Sequence, residues 1–197
     1  MNMTKFKLLG MLGAVMASWS CSSSSGVALK DSSSNEGVVR SSSSSQEASF
    51  AKALHREVNN YRVSQGLTPL NYHQGLERVA RGHSRFMKQR AVESTGGKLT
   101  THYGIDSRRL LVKKKYGMEA MSENVIVSYE LGQGENLAKT MVKNWIGSKV
   151  HRMNITDKWA NTGVSVEFDD QGRVFVTQVF GSAKSKVAPV GGPLNQW

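Results

Sequence analysis

The stretch "TGVSVEFDDQGRVFVTQVFG", residues 162–181, alternates apolar and polar side chains on either side of an Asp-Gln-Gly centre. A period of two on both arms, with turn-forming residues between them, predicts an antiparallel hairpin. Upstream, "ENVIVSY" (123–129) is β-branched and apolar enough to predict a buried strand.

Helical periods surround these strands. "SFAKALHREVNNYRVSQGL" (49–67) places Phe50, Ala53, Leu54, Val58 and Tyr61 on one face, with Ser49 as N-cap and Gly66 as stop. After a turn at Pro69, Leu76, Val79, Ala80, His83, Phe86 and Met87 recur at three- and four-residue spacing, a second amphipathic helix. His83 on that apolar face reads as a packed, hydrogen-bonded core histidine. "SRRLLVKKKYG" (107–117) predicts a short basic helix, and "ENLAKTMVKNWIGS" (135–148) one that turns Leu137, Met141, Val142 and Trp145 inward. Residues 91–106, rich in Gly, Thr and Ser, read as a long ordered loop carrying His102. Three or four helices and at least three strands, with the hairpin last and no internal repeat, predict an α+β layered domain rather than a doubly wound sheet.

The 197 residues allow one such domain, here 50–182, plus extras. Lys5 and Lys7 precede the apolar run "LLGMLGAVMA" (8–17), too short to span a bilayer but suited to a signal-peptide core, so residues 1–20 read as an export signal. The single cysteine, Cys21, follows directly; it allows no internal disulfide, and its place suggests lipid attachment. "SWSC" departs from the usual lipobox at Trp19. Residues 22–49 hold 13 serines among 28 residues and read as a disordered tether. As a flexible coil that tether reaches about 30 Å. Residues 183–197, with Pro189, Gly191, Gly192 and Pro193, read as a loosely packed tail. From residue 50 onward the chain carries 22 Lys and Arg against 12 Asp and Glu, nearly all of its +11 net charge. That surface suits anionic partners such as acidic headgroups or wall polymers; for an exported chain without an aromatic-plus-basic motif, nucleic acid is not among them.

The five histidines are His55, His73, His83, His102 and His151. No two stand at the i, i+4 spacing of a helical metal site, and no HExxH, CxxC or GxSxG occurs. "WIGSKVHRMNI" (145–155) spaces Trp145, Ser148 and His151 by three. That fits either the buried face of a helix end or one histidine of a site.

The motifs "LHREVNNYRVSQGLTPLNY", "THYG…SRRL", "SENV", "MVKNWIGSKVHRMNI", "TGVSV" and "FVTQVFG", in this order over residues 52–181, resemble the CAP superfamily. This is the group of cysteine-rich secretory proteins, antigen 5 and pathogenesis-related 1 proteins, also called the SCP-like extracellular domain; the chain looks like its disulfide-free bacterial branch. The resemblance implies a three-layer αβα sandwich with a central, mainly antiparallel sheet, and a cleft holding two histidines and two acids. Matched motif by motif, those positions are His102, Glu123 in "SENV" (Ser122 replacing the family glycine), His151, and Ser148 where many members carry the second acid. "GENL" at 134–137 spells the acid's motif better, but Glu123 leads directly into the apolar strand, as the family order implies.

Two imidazoles with a carboxylate can hold a divalent cation such as zinc at about 2.0–2.1 Å. The resemblance therefore leaves open a weak metal site at His102 and His151, and otherwise a polar network that holds the long loop onto a helix end. Together with the export signal and Cys21, this reads as a membrane-tethered binding module in the cell envelope, with a secreted form as the alternative location; the resemblance implies a ligand that is a lipid, a glycan or an envelope protein. The rival is a metal-dependent, protease-like hydrolase with Glu123 as general base.

Overall fold

A computed structural model describes residues 33–93, 99–129 and 135–183, with side chains from Ser44 onward. Export signal and Cys21 lie outside these residues, as does all of the tail beyond Ala183. The elements are α1 (Ser33–Ser64), β1 (Asn71–Tyr72), α2 (Gln74–Glu93), α3 (Ile105–Tyr116), β2 (Ala120–Ser128), α4 (Glu135–Gly147), α5 (Lys149–Thr156), β3 (Asn161–Phe168) and β4 (Val174–Ser182).

The hairpin forms the middle of the sheet. The strand order is β1-β3-β4-β2, with β1 parallel to β3 and the remaining pairs antiparallel. Asp169 sets the turn: its carboxylate accepts the amides of Gln171 (3.0 Å) and Arg173 (2.8 Å), while Gly172 takes the positive φ of 75° that the reversal requires.

Alternation along β3 and β4 divides the core. Val164, Val166, Val176 and Phe180 face a layer formed by Leu54 and Val58 of α1, Met141 and Trp145 of α4, and Ile155 of α5. Val179 meets Leu76, Val79 and Ala80 of α2 on the opposite face, and Phe175 meets Met87 and Ala91. The result is the αβα sandwich with a mainly antiparallel sheet. Gly163 allows α2 to lie close on β3, because a Cβ there would collide with the backbone of Leu76 and Glu77.

Three features depart from expectation. First, α1 begins at Ser33, not Ser49, so a disordered tether extending to residue 49 is corrected for 33–49. Extending an existing helix costs little per residue. Packing also reaches into the serine-rich run, where the Phe168 amide donates to the Glu47 carboxylate at 3.2 Å. Second, residues 149–156 form a separate helix, α5, where only a helix end and turn were expected. The buried guanidinium of Arg62 satisfies that helix's last carbonyls, donating to Ile155 O at 2.5 Å and Asp157 O at 2.9 Å. Third, β1 adds a two-residue parallel pairing that no period in the sequence announces.

Candidate functional site

Strand β2 lies at an edge of the sheet, and its side chains alternate, as in any strand, between the α2 side and the α4–α5 side. Glu123 faces the α2 side and is buried, with a side-chain exposure of 0%. Arg108 grips its carboxylate with both arms of the guanidinium, Nε to Oε2 and Nη2 to Oε1, each 2.7 Å. His102 Nδ1–H donates to Oε1 at 2.9 Å, which leaves the lone pair of its neutral form on Nε2. Burial pushes the Glu123 carboxyl up, but the bonds from His102 and Arg108 push it down further and hold it below the usual carboxylate range.

A second layer fixes the loop that carries His102. His83 Nε2–H donates to Thr101 O at 2.6 Å and lies 3.7 Å from Glu123 Oε1. Burial lowers the His83 pKa, only partly offset by the nearby carboxylate. Arg108 Nη1 holds Tyr103 O at 2.8 Å, and the rings of His83, Phe86 and Tyr103 stack in series.

The α4–α5 side is fixed by amides. Asn154 Nδ2 donates to Asn124 Oδ1 (2.9 Å) and Glu123 O (3.3 Å), and its Oδ1 accepts the Ser122 hydroxyl at 2.7 Å. Asn124 Nδ2 reaches His151 O at 3.1 Å, and Trp145 Nε1 donates to Val125 O at 3.2 Å. Ser148 is the N-cap of α5 in extended backbone, its side chain making no capping bond.

Between the two sides opens a cleft of about 350 Å³. His102 stands on one wall, Ser148 and His151 on the other, and Val125, Ile126 and Val127 line its base together with Trp145. The structure thus brings His102, Ser148 and His151 to one cleft. Glu123 does not line it, which corrects the expectation of an acid at the cleft surface. Arg108 and His102 cover the carboxylate and fix it behind the His102 wall. Glu135 of the competing motif is exposed at the start of α4, where Arg56 Nη2 donates to it at 2.6 Å. The other histidines serve structure: His55 bonds Leu70 O at 3.0 Å, and His73 Nδ1 accepts the Leu76 amide at 3.2 Å.

One residue of the site, Arg108, goes unannounced in the sequence. It hides in a basic run, although it falls on the inner stripe Ile105, Arg108, Val112, Tyr116, a charge at helical spacing among apolar residues. His83 is the buried, hydrogen-bonded histidine that its place on the apolar face predicts, and its link to the His102 loop follows only from tertiary placement. A larger cavity of about 610 Å³ lies between α1 and α2 along β3. Its carboxylates are engaged locally, Glu167 by Arg85 at 2.9 Å and Glu47 by the Phe168 amide, so the β2 cleft is the better candidate.

The donor set does not fit a resident metal. Structural and catalytic zinc take three or four protein ligands. The cleft presents two imidazoles and a neutral hydroxyl, and among the described residues no group of three His, Cys, Asp or Glu is placed to hold an ion.

An αβα sandwich with a histidine-lined cleft along the outer strand defines the class of protein. The model of the CAP, or cysteine-rich secretory protein, family matches residues 55–180, and the chain belongs to that family. Among solved structures it is similar to an outer surface protein of Borrelia burgdorferi, with TM-score 0.54 and 18% identity, covering 68% of this chain and 93% of that one. It is similar to an extracellular SCP-domain protein of Bacillus anthracis, with TM-score 0.52 and 24% identity, covering 68% of this chain and 41% of that one. A cysteine-rich secretory protein of Staphylococcus aureus gives TM-score 0.51 and 17% identity, covering 69% and 39%. At these identities the likeness concerns the fold. No curated protein matches the chain in sequence.

Proposed function

We propose that this protein is an extracytoplasmic binding module, exported by residues 1–20, held in the envelope by lipid on Cys21, and using the β2 cleft to take a small amphiphile such as a lipid. The observation that carries this reading is the sealing of Glu123. A buried carboxylate gripped by a guanidinium and held below its ordinary range is a poor general base. What the cleft offers instead is binding chemistry: imidazoles and a hydroxyl for a polar head, and valine, isoleucine and tryptophan for an apolar body. An envelope location accords with the outer-surface and extracellular descriptions of two fold neighbours. The hydrolase reading needs Glu123 free to accept a proton, and no feature of the cleft favours it.

Mass spectrometry of small molecules retained by the full chain purified from membranes tests the reading. A ligand enriched on the wild type and lost from both Ser148→Trp and His151→Leu is the expected result. Identical small-molecule profiles for all three would overturn it. Intact mass of the same preparation tests the anchor: acyl mass on a chain beginning at Cys21 is expected, and an unmodified Cys21 refutes that part alone.

A further inference from the structure

Helix α3 carries a feature that neither the fold nor the cleft uses. Its inner stripe is Ile105, Arg108, Val112 and Tyr116, and only Val112 is fully buried. At about 100° per residue Leu110 points nearly opposite that stripe, and Leu111 lies a further 100° round on the flank. The two leucines are 51% and 46% exposed. Lys114 lies between them and Lys113 and Lys115 flank them, whereas Arg109 sits nearer the inner stripe and pairs at 2.9 Å with Asp106, the only acid within the helix. Lysines in a last turn favour a helix's own dipole, which accounts for their place at the C-terminal end. That effect does not account for two leucines among them on the solvent side.

We propose that the outer face of α3 docks on an anionic lipid bilayer. Leu110 and Leu111 enter the boundary between headgroups and acyl chains, while Lys113, Lys114 and Lys115 meet the lipid phosphates. A surface of this composition suits an interface that is apolar just below a negatively charged plane. Two leucines supply too little apolar area to bind a neutral membrane, so attachment depends on the charge and weakens with salt. Lys113 also pairs with Glu119 at 2.7 Å, so part of the charge is already compensated and anionic lipid must compete for it. The inference does not depend on what occupies the cleft.

Hydrogen exchange of the full chain tests it, because protection of α3 amides is read separately from anything the N-terminal segment does. Vesicles of phosphatidylcholine containing phosphatidylglycerol should slow exchange across α3, and vesicles of phosphatidylcholine alone should not. Leu110→Ser with Leu111→Ser should abolish the protection. Replacing Lys113, Lys114 and Lys115 by Gln should weaken it about tenfold or more, the scale set by the attraction of each basic residue to an anionic surface. These positions are exposed, so the variants keep the fold, and circular dichroism checks that they do. Equal protection by both vesicle types overturns the proposal, as does protection that survives the double serine variant. Protection by soluble polyglutamate that is indifferent to the leucines reassigns the face to an acidic polymer and equally overturns it.

Discussion

Removing Arg108 tests the electrostatic centre of the site. Arg108→Met keeps most of the side chain's length and deletes both bonds to Glu123 as well as the bond to Tyr103 O. The pair is far from a surface salt bridge: its side chains are 13% and 0% exposed. Breaking such a pair from one side leaves an uncompensated buried charge, at a typical cost of about 3–5 kcal/mol. His102 still donates to the carboxylate at 2.9 Å, which places the expected loss at the lower end, about 3 kcal/mol. For a domain of this size that corresponds to a fall in Tm of about 6–12 °C. The double variant Arg108→Met/Glu123→Gln removes the orphaned charge and should recover about 2 kcal/mol of the single variant's loss.

The sign with pH is definite. In the wild type the Glu123 carboxyl lies below its ordinary value of 4.5, so its stabilising contribution is present above that value and lost as pH falls through the folded pKa. Without Arg108, burial acts with less opposition and the carboxyl rises. The gap between wild type and variant should therefore be widest near neutrality and narrow below 4.5, as Glu123 takes up a proton in the variant. Denaturant unfolding monitored by tryptophan fluorescence measures both quantities. A loss under about 1 kcal/mol at neutral pH, the range of an exposed pair, or a penalty that does not change on acidification, refutes the reasoning.

Three further outcomes are expected. His55 and His83 are both held below the ordinary histidine value of 6.5 by burial; the unfolded chain therefore binds more protons, stability declines as pH drops through 6.5, and denaturation midpoints that stay flat between neutrality and about pH 5 would contradict this. Gly163→Ala pushes a methyl into the α2 backbone and should cost about 1–3 kcal/mol, whereas Gly82→Ala, exposed on α2 with open space around it, should stabilise by up to about 1 kcal/mol; thermal melts of the two variants check the contrast. Calorimetric titration with zinc should show no site, and a binding heat lost in both His102→Ala and His151→Ala would restore the metal reading.

How far the sequence disclosed this molecule depended on whether the relevant physics is periodic. The hairpin was legible because burial on one face forces alternation, and β4 spans Val174–Ser182 close to the expected arm. Strand β2 was legible from its β-branched run. The start of α1 was not, because serine repeats mark neither a cap nor a face and the helix there is extended from a packed segment. Helix α5 was hidden because Ser148 alone separates it from α4. At the site, motif order favours Glu123 over Glu135; the structure buries Glu123 against His102 and Arg108 and leaves Glu135 ion-paired at the surface. Which arginine of "SRRLLVKKK" seals that acid follows only once α3 is laid against β2.

The consecutive pair Glu123-Asn124 explains how one edge strand can build a cleft with two independent walls. Neighbouring residues of a strand point to opposite faces. Glu123 therefore reaches the α2 side, where its carboxylate collects His102 and Arg108 and so fixes the loop that forms one wall. Asn124 reaches the α4–α5 side, where its amide holds His151 O and Asn154 and so fixes the other. Both hydrogen-bond sets thus end on the side chains of adjacent residues of one strand. An acid in this position acts by placing its imidazole partner, and a glutamine could keep the His102 bond but not the charge that retains Arg108. The same geometry accounts for the absence of Glu123 from the cleft surface: a carboxylate that anchors a wall has its oxygens turned into the wall, away from the cavity the wall encloses.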